Sequence, residues 1–221
     1  MSAVTLKKMV AEAAINYIRS GDLIGLGTGS TVDYFINALA GIANRIEGVI
    51  ASSMRTEKQL QALGIPVIDL NAAGTLPIYI DGADQADKNL YLIKGGGGAL
   101  TREKIIAAAS TRFVCIVDES KIAQPFGTFP LAIEVVAMAR SFVARELVKI
   151  GGVPKWREGF LTDNGNIILD VAALDMSNPL KLESDINQIT GVVASGLFAK
   201  RPADELLVAG CKGIQTIHRG N

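Results

Sequence analysis

Residues 22–40 read DLIGLGTGSTVDYFINALA. An apolar run, LIGL, enters a bare loop and leaves it directly as a helix-periodic run with Val32, Phe35, Ile36 and Leu39 on one stripe. A strand followed at once by a helix is the first half of a βαβ unit, which predicts a parallel α/β sheet. The loop GTGST lies where a helix N-terminus would point its free N–H groups and positive dipole end, a natural anion cradle. Two nucleotide motifs fail here. A dinucleotide fingerprint starting at Gly25 needs glycine at position 30, which is Ser30, and the next strand ends Ala51-Ser52-Ser53 instead of on a ribose-binding acid. A P-loop needs a lysine that this loop lacks. Two readings remain: an anion loop with hydroxyls from Thr28, Ser30 and Thr31, or a tight turn in which Ser30 or Thr31 caps the helix.

The same rhythm extends outward. A helix near 4–19 precedes the strand, and GVIAS, a helix near 54–63, IPVIDL, LPIYI, a strand-like YLIK, a helix near 99–110 and RFVCIVD follow. After Lys121 the order becomes strand (FPLAIEVVA), helix (ARSFVARELVKIG), strand (153–159), strand (NIILDVA), helix (LKLESDINQI), strand (VVASGLFA). That β-α-β-β-α-β order is ferredoxin-like, with Asn164-Gly165 in TDNGN as a turn signal. The expected fold class is therefore α/β, a Rossmann-like, mostly parallel sheet domain (1–129 plus 201–221) carrying a smaller ferredoxin-like α+β lid domain (130–200).

Composition removes several functions. The chain has 221 residues, 49% of them hydrophobic, enough for a substantial core. Twenty-two basic residues balance 22 acidic ones without a dense Lys/Arg run, which argues against nucleic-acid or anionic-membrane partners. The N-terminus reads as an amphipathic helix with no long apolar h-region, so neither a signal peptide nor a membrane span is expected. Cys115 and Cys211 lack metal or redox spacing and suit a reducing, cytoplasmic setting. The sole histidine, His218, stands near the C-terminus, which disfavours histidine triads, His-based zinc sites and histidine proton shuttles. Acid–base work falls to carboxylates, lysine or water.

Those groups concentrate in residues 81–104, DGADQADKNLYLIKGGGGALTREK. Asp81 ends the strand LPIYI, at the carboxyl edge where α/β sheets bind ligands, and Asp84 follows within reach of carboxylate–carboxylate repulsion. Asp87, beside Lys88 and Asn89, suits a solvated turn, and the acid spacing does not match an EF-hand. Ordering Gly95, Gly96, Gly97 and Gly98 in a strand-to-helix loop is entropically costly unless a ligand approaches the backbone closely, with Lys94 beside a nest of donors. Glu103, alone, is an ordinary first-turn helix acid.

Taken together, GLGTGSTV, DGADQAD, KGGGGALTREK, IEVVAMAR and TDNGNIILD resemble the type A ribose-5-phosphate isomerases, in that family's order, from about residue 6 to the C-terminus. The resemblance implies an aldose–ketose isomerase of the non-oxidative pentose phosphate pathway, without cofactor or metal, acting on a small-molecule sugar phosphate. It also implies a homodimer or homotetramer. Carried over by position, Glu103 is the catalytic base, with Asp81, Asp84 and Lys94 also catalytic. Thr28, Gly29, Ser30, Thr31, Asp81, Gly82, Ala83, Asp84, Lys94, Gly95, Gly96, Gly97 and Lys121 are substrate-binding. Asp81, with Asp84, is expected to assist ring opening, and Lys94 or Lys121 to serve the phosphate. Two positions depart from the family: Gln85 stands where glutamate is usual, next to Asp84, and Ala137 where proline is common. Rival readings meet sequence-level objections. A sugar-phosphate deaminase or lactonase on this scaffold would be expected to carry a catalytic histidine. A sugar-phosphate sensor would need a DNA-binding module, and a nicotinamide-dependent dehydrogenase the missing fingerprint.

Overall fold

The computed structural model describes residues 1–218; positions 219–221 of the expected C-terminal return lie outside the described residues. The opening stretch forms β1 (Leu23–Leu26) and α2 (Ser30–Ala40), preceded by α1 (Ala3–Ala14). Then come β2 (Gly48–Ala51), α3 (Met54–Ala62), β3 (Leu76–Asp81), the short β4 (Gln85–Ala86) and β5 (Leu92–Ile93), α4 (Leu100–Ala109) and β6 (Ser110–Asp118). The second half contains β7 (Leu131–Val135), α5 (Arg140–Lys149), β8 (Val153–Trp156), β9 (Ile167–Ala172), α6 (Pro179–Asn187), β10 (Val192–Ser195), β11 (Leu197–Phe198), β12 (Glu205–Gly210) and β13 (Gly213–His218).

The main sheet has the order β13-β12-β6-β3-β1-β2, parallel throughout except for β13. Its strands are continuous apolar runs because both faces are covered. On one face Leu26, Ile80, Val114 and Ile116 meet Val10 of α1, Phe35 and Leu39 of α2 and Leu60 of α3. On the other, Tyr79, Phe113 and Cys115 meet Ile106 and Ala107 of α4. From β1 the chain moves outward to β2, whereas from β3 it moves the opposite way to β6. The carboxyl ends of β1 and β3 therefore flank a topological switch point, the place where such sheets leave a crevice.

The second layer is an antiparallel sheet, β10-β7-β9-β8, in β-α-β-β-α-β chain order, with α5 and α6 packed through Val143, Leu147, Leu182 and Ile186 onto Ile133, Val135 and Leu169. Helix α4 is shared between the layers. Its Ile106 faces the parallel sheet, while Leu100 packs on Ala132 of β7 and Ile168 of β9. Among the described residues no helix is long and apolar enough to cross a membrane.

Four sequence expectations change. IPVIDL makes a single parallel bridge, Val49 to Val67, and is not a full strand: Pro66 has no N–H to donate, so only its carbonyl and the N–H of Ile68 engage Val49. YLIK does not enter the main sheet; β5 pairs antiparallel with β4 and β11 in a small separate sheet. VVASGLFA breaks at Gly196 into β10 and β11, which belong to different sheets. Asn164-Gly165 turns the chain inside a longer β8–β9 connection, with Thr162 N–H donating to the Asn166 carbonyl.

Candidate active site

Three strand ends supply the crevice: residues 28–31 after β1, 82–84 after β3, and Lys121 in the turn after β6. The segment 94–97 and Glu103 of α4 close it, around a cavity of about 110 Å³. Of the residues expected from sequence, Thr28, Gly29, Ser30, Thr31, Gly82, Ala83, Asp84, Lys94, Gly95, Gly97, Glu103 and Lys121 line this cavity, and Val32 joins them. Asp81 and Gly96 do not line it.

The loop after β1 passes directly over Asp81. A Cβ on Gly27 would sit 1.8 Å from the Asp81 carboxyl carbon, so no side chain is accommodated there. Gly29, at φ 138°, occupies the N-cap of α2 in a conformation that only glycine adopts readily, and no side chain caps the helix. The capping reading of Ser30 and Thr31 is thereby excluded, and the first N–H groups of α2 stand beside the cavity without a side-chain acceptor. Thr28 Oγ1 instead hydrogen-bonds Ser53 and Thr56 at the start of α3, and Thr56 Oγ1 donates to the Gly27 carbonyl at 2.9 Å.

Beneath this loop lies a buried ionic cluster. Asp81 is fully buried, and four donors occupy its carboxylate: Thr28 N–H (3.2 Å) and Gly82 N–H (2.7 Å) on Oδ1, Lys94 Nζ (2.7 Å) and the Tyr79 hydroxyl on Oδ2. Lys94 also donates to the Gly82 carbonyl at 2.5 Å and approaches Glu103 Oε2 at 3.4 Å. Two of the Lys94 N–H bonds thus go to protein acceptors, Asp81 Oδ2 and the Gly82 carbonyl, while Glu103 stands at ion-pair distance without a formed hydrogen bond. Burial alone would lower the Lys94 pKa; the charges of Asp81 and Glu103 override it and push it up. Of Asp81 and Lys94, Lys94 lines the cavity and Asp81 lies behind it. Asp81, with four donors and no exposed surface, holds Lys94 Nζ at 2.7 Å.

Glu103 is different. It is 3% exposed, and its Oε2 has no hydrogen-bond partner. Burial first, then the charge of Asp81, raises its pKa from the ordinary 4.5 to about 8, with Lys94 opposing. The result is a carboxyl poised near neutrality at the cavity wall, the condition under which a group both takes and returns a proton. Asp84 is half-buried at the mouth and held by Gly96 N–H at 2.8 Å. Gln85 turns away from it: its side chain engages Thr128 and accepts from Gly127 N–H at 3.0 Å. Asp87 accepts from Asn89 and Tyr91 N–H groups and closes a turn outside the cavity, as the solvated-turn reading expected. Ala137 begins a single helical turn, Ala137–Ala139, away from the crevice.

Three contributors escaped the sequence reading. Lys7 of α1 places Nζ 2.9 Å from Ser30 Oγ; no local motif marks it, because helix packing alone brings it there. Tyr79 was detectable, since residues i and i+2 of a strand share a face and Asp81 follows it by two. Arg157, paired with Asp170 at 2.9 Å, donates to the Gly95 and Gly96 carbonyls at 3.2 Å and pins the glycine loop from the antiparallel layer.

The fold and crevice define an α/β protein whose buried carboxylate–lysine cluster opens on a polar cavity at the carboxyl edge of a parallel sheet. The family model described as ribose 5-phosphate isomerase A (phosphoriboisomerase A) matches residues 48–213. A ribose-5-phosphate isomerase A of Legionella pneumophila is 58% identical over 212 residues, 96% of this chain and 98% of its own. The crystal structure of ribose 5 phosphate isomerase A from Neisseria gonorrhoeae superposes with a TM-score of 0.97 at 43% identity, covering 100% of this chain and 99% of that one. A D-ribose-5-phosphate isomerase in complex with phospho-erythronic acid matches with a TM-score of 0.95 at 34% identity, over 99% and 100% of the two chains. The chain belongs to the ribose 5-phosphate isomerase A family and is an isomerase.

Proposed function

We propose that the chain interconverts ribose 5-phosphate and ribulose 5-phosphate through an enediolate, with Glu103 carrying the proton between C2 and C1. The observation that carries this reading is a buried carboxyl with one unpartnered oxygen and a pKa near 8, at the wall of a cavity that also presents Asp84 and unpaired N–H groups. Asp84, at the mouth, takes the C1 hydroxyl proton as the ring opens and returns one to the ring oxygen. Glu103 then removes the proton on C2 of the open aldose. A proton passes from O2 to O1, and Glu103 delivers its own to C1, giving the ketose. The charge that develops on oxygen during these steps is met by fixed donors of the 94–97 loop and by the field of Lys94, which cost little reorganisation.

The phosphate belongs at the N-terminus of α2, where the uncapped N–H groups, Ser30, Thr31 and Lys7 converge, with Lys121 across the cavity. Among the relatives, one binds phospho-erythronic acid, a phosphorylated sugar acid of the same polar character. Purified protein treated with chelator and given ribose 5-phosphate without nucleotide is expected to produce ketose absorbance. A flat trace from folded protein would overturn the assignment.

A further inference from the structure

We propose that Glu134 is a positioning residue for this reaction: through one turn of the antiparallel layer it holds both the helix of Glu103 and the loop of Thr28. Alternation along β7 sends Ile133 and Val135 into the core with α5 and α6, and Ala132 and Glu134 toward α4. Glu134 is completely buried. A carboxylate in that position is strongly disfavoured by desolvation unless it is fully hydrogen-bonded. Its donors come from two places. Thr162 Oγ1 (2.8 Å), Asn166 Nδ2 (2.8 Å) and Asn164 Nδ2 (3.1 Å) converge on Oε1 from the turn 162–166. The hydroxyl of Thr101, two residues before Glu103 in α4, donates to Oε2.

The same turn reaches further. Arg102 donates to Asn164 Oδ1 (2.8 Å) and to the Asp163 carbonyl (2.9 Å), so two consecutive first-turn residues of α4 are tied to it. Asp163 Oδ2 accepts from Met54 N–H at 2.8 Å, at the start of α3, whose preceding Ser53 contacts Thr28. Strand β7 also supports Lys94: the Ala132 carbonyl accepts from Gly196 N–H (2.7 Å), and the Gly196 carbonyl from Lys94 N–H (2.8 Å). Glu134 thus stands where supports for Glu103, Lys94 and the Thr28 loop meet, without lining the cavity itself. A plain interlayer staple needs only an apolar side chain; an anion with donors drawn from α4 and the 162–166 turn fixes their relative orientation. Proton transfer at carbon is sensitive to displacements well under 1 Å.

The inference rests on Glu103 as the proton carrier, and the experiment separates the two. Thr101→Val removes one hydroxyl at nearly constant shape, and Glu134→Gln removes the charge; both are assayed beside Glu103→Gln. In both positioning variants kcat is expected to fall about tenfold with KM within about threefold, and the pH midpoint of kcat/KM to move below that of the parent as the Glu103 environment loosens and hydrates. If folded Thr101→Val keeps kcat within twofold and the parental pH midpoint, the positioning role is overturned, whatever the change in Tm. Thr101→Val also decides the matter if Glu134→Gln does not fold. Full activity in Glu103→Gln would overturn the base assignment; an inactive Glu103→Gln beside an unaltered Thr101→Val overturns only the role of Glu134.

Discussion

The two glycine-rich loops of this molecule face one cavity and solve opposite problems. The loop after β1 leaves the first N–H groups of α2 without a side-chain acceptor: Gly29 takes the N-cap, and the hydroxyls of Thr28, Ser53 and Thr56 satisfy one another to its side. The 94–97 loop is instead tied at several points to the protein. Arg157 takes its carbonyls, Asp84 takes the Gly96 N–H, and Lys94 is enclosed by Asp81, Gly82 and Glu103. The first is suited to receive an external anion, the second to hold internal charges at set distances. Glycine richness therefore says only that backbone comes close to something; whether that is ligand or protein depends on which neighbours have claimed the polar groups.

If the tied loop carries the chemistry, Glu103→Gln should have the largest effect: kcat down by about 10²-fold or more with KM little changed, measured by steady-state ketose formation. A near-normal rate would transfer the base to Asp84. Ionisation of Glu103 should also set the free enzyme's pH profile, so kcat/KM should rise with pH to a plateau with a midpoint near 8. The stability consequence has the opposite sign. Because the folded pKa lies above the ordinary 4.5, the contribution of this group is fully present below about 4.5 and is lost as pH rises through about 8. Urea titrations between pH 5 and 9 should show a smaller decline for Glu103→Gln than for the parent. A parallel decline would remove Glu103 as the cause.

The loop after β1 should respond differently. Lys7→Ala is expected to raise KM for ribose 5-phosphate roughly tenfold, with kcat within about threefold, and to weaken inhibition by inorganic phosphate in parallel. A change in kcat alone would move the phosphate away from α2 and toward Lys121. The smallest effect belongs to Gln85→Glu. Its side chain faces Gly127 and Thr128 and not Asp84, so kcat/KM and its pH midpoint should stay within about twofold and a few tenths of a unit. A larger shift would mean that the two carboxyls at 84 and 85 do communicate.

Much of this organisation was legible before any coordinates. LIGL followed by GTGST and an apolar helical stripe points to a βα unit, because an apolar run this short, bounded by glycines, suits a buried strand and a 3.6-period run buries one face as a helix. The β-α-β-β-α-β order after Lys121 was equally direct. The residues of the crevice were recognisable by type, since carboxylates, a lysine and glycines at strand ends have few structural uses. What local pattern could not assign was which of those groups were already spoken for. Asp81 and Glu103 are both buried acids near one lysine, yet one has four donors and the other an orphan oxygen. The difference arises from Tyr79, Thr28 and Gly82 closing on Asp81, and from α4 being pressed between two sheets.

By itself, then, the sequence determined the α/β class, the layer order, the family and the set of chemically able side chains, because each depends on periodicity, turn chemistry or a contiguous motif. Only the tertiary structure decided which of those groups are already engaged by the protein. A Glu103 carboxyl whose pKa is pushed up to about 8, a Lys94 held between Asp81 and the Gly82 carbonyl, a Lys7 delivered by helix packing and a turn at 162–166 bracing the starts of α3 and α4 are all products of burial and hydrogen-bond competition between segments far apart in the chain. Those energies depend on three-dimensional neighbours, which no local stretch of residues encodes.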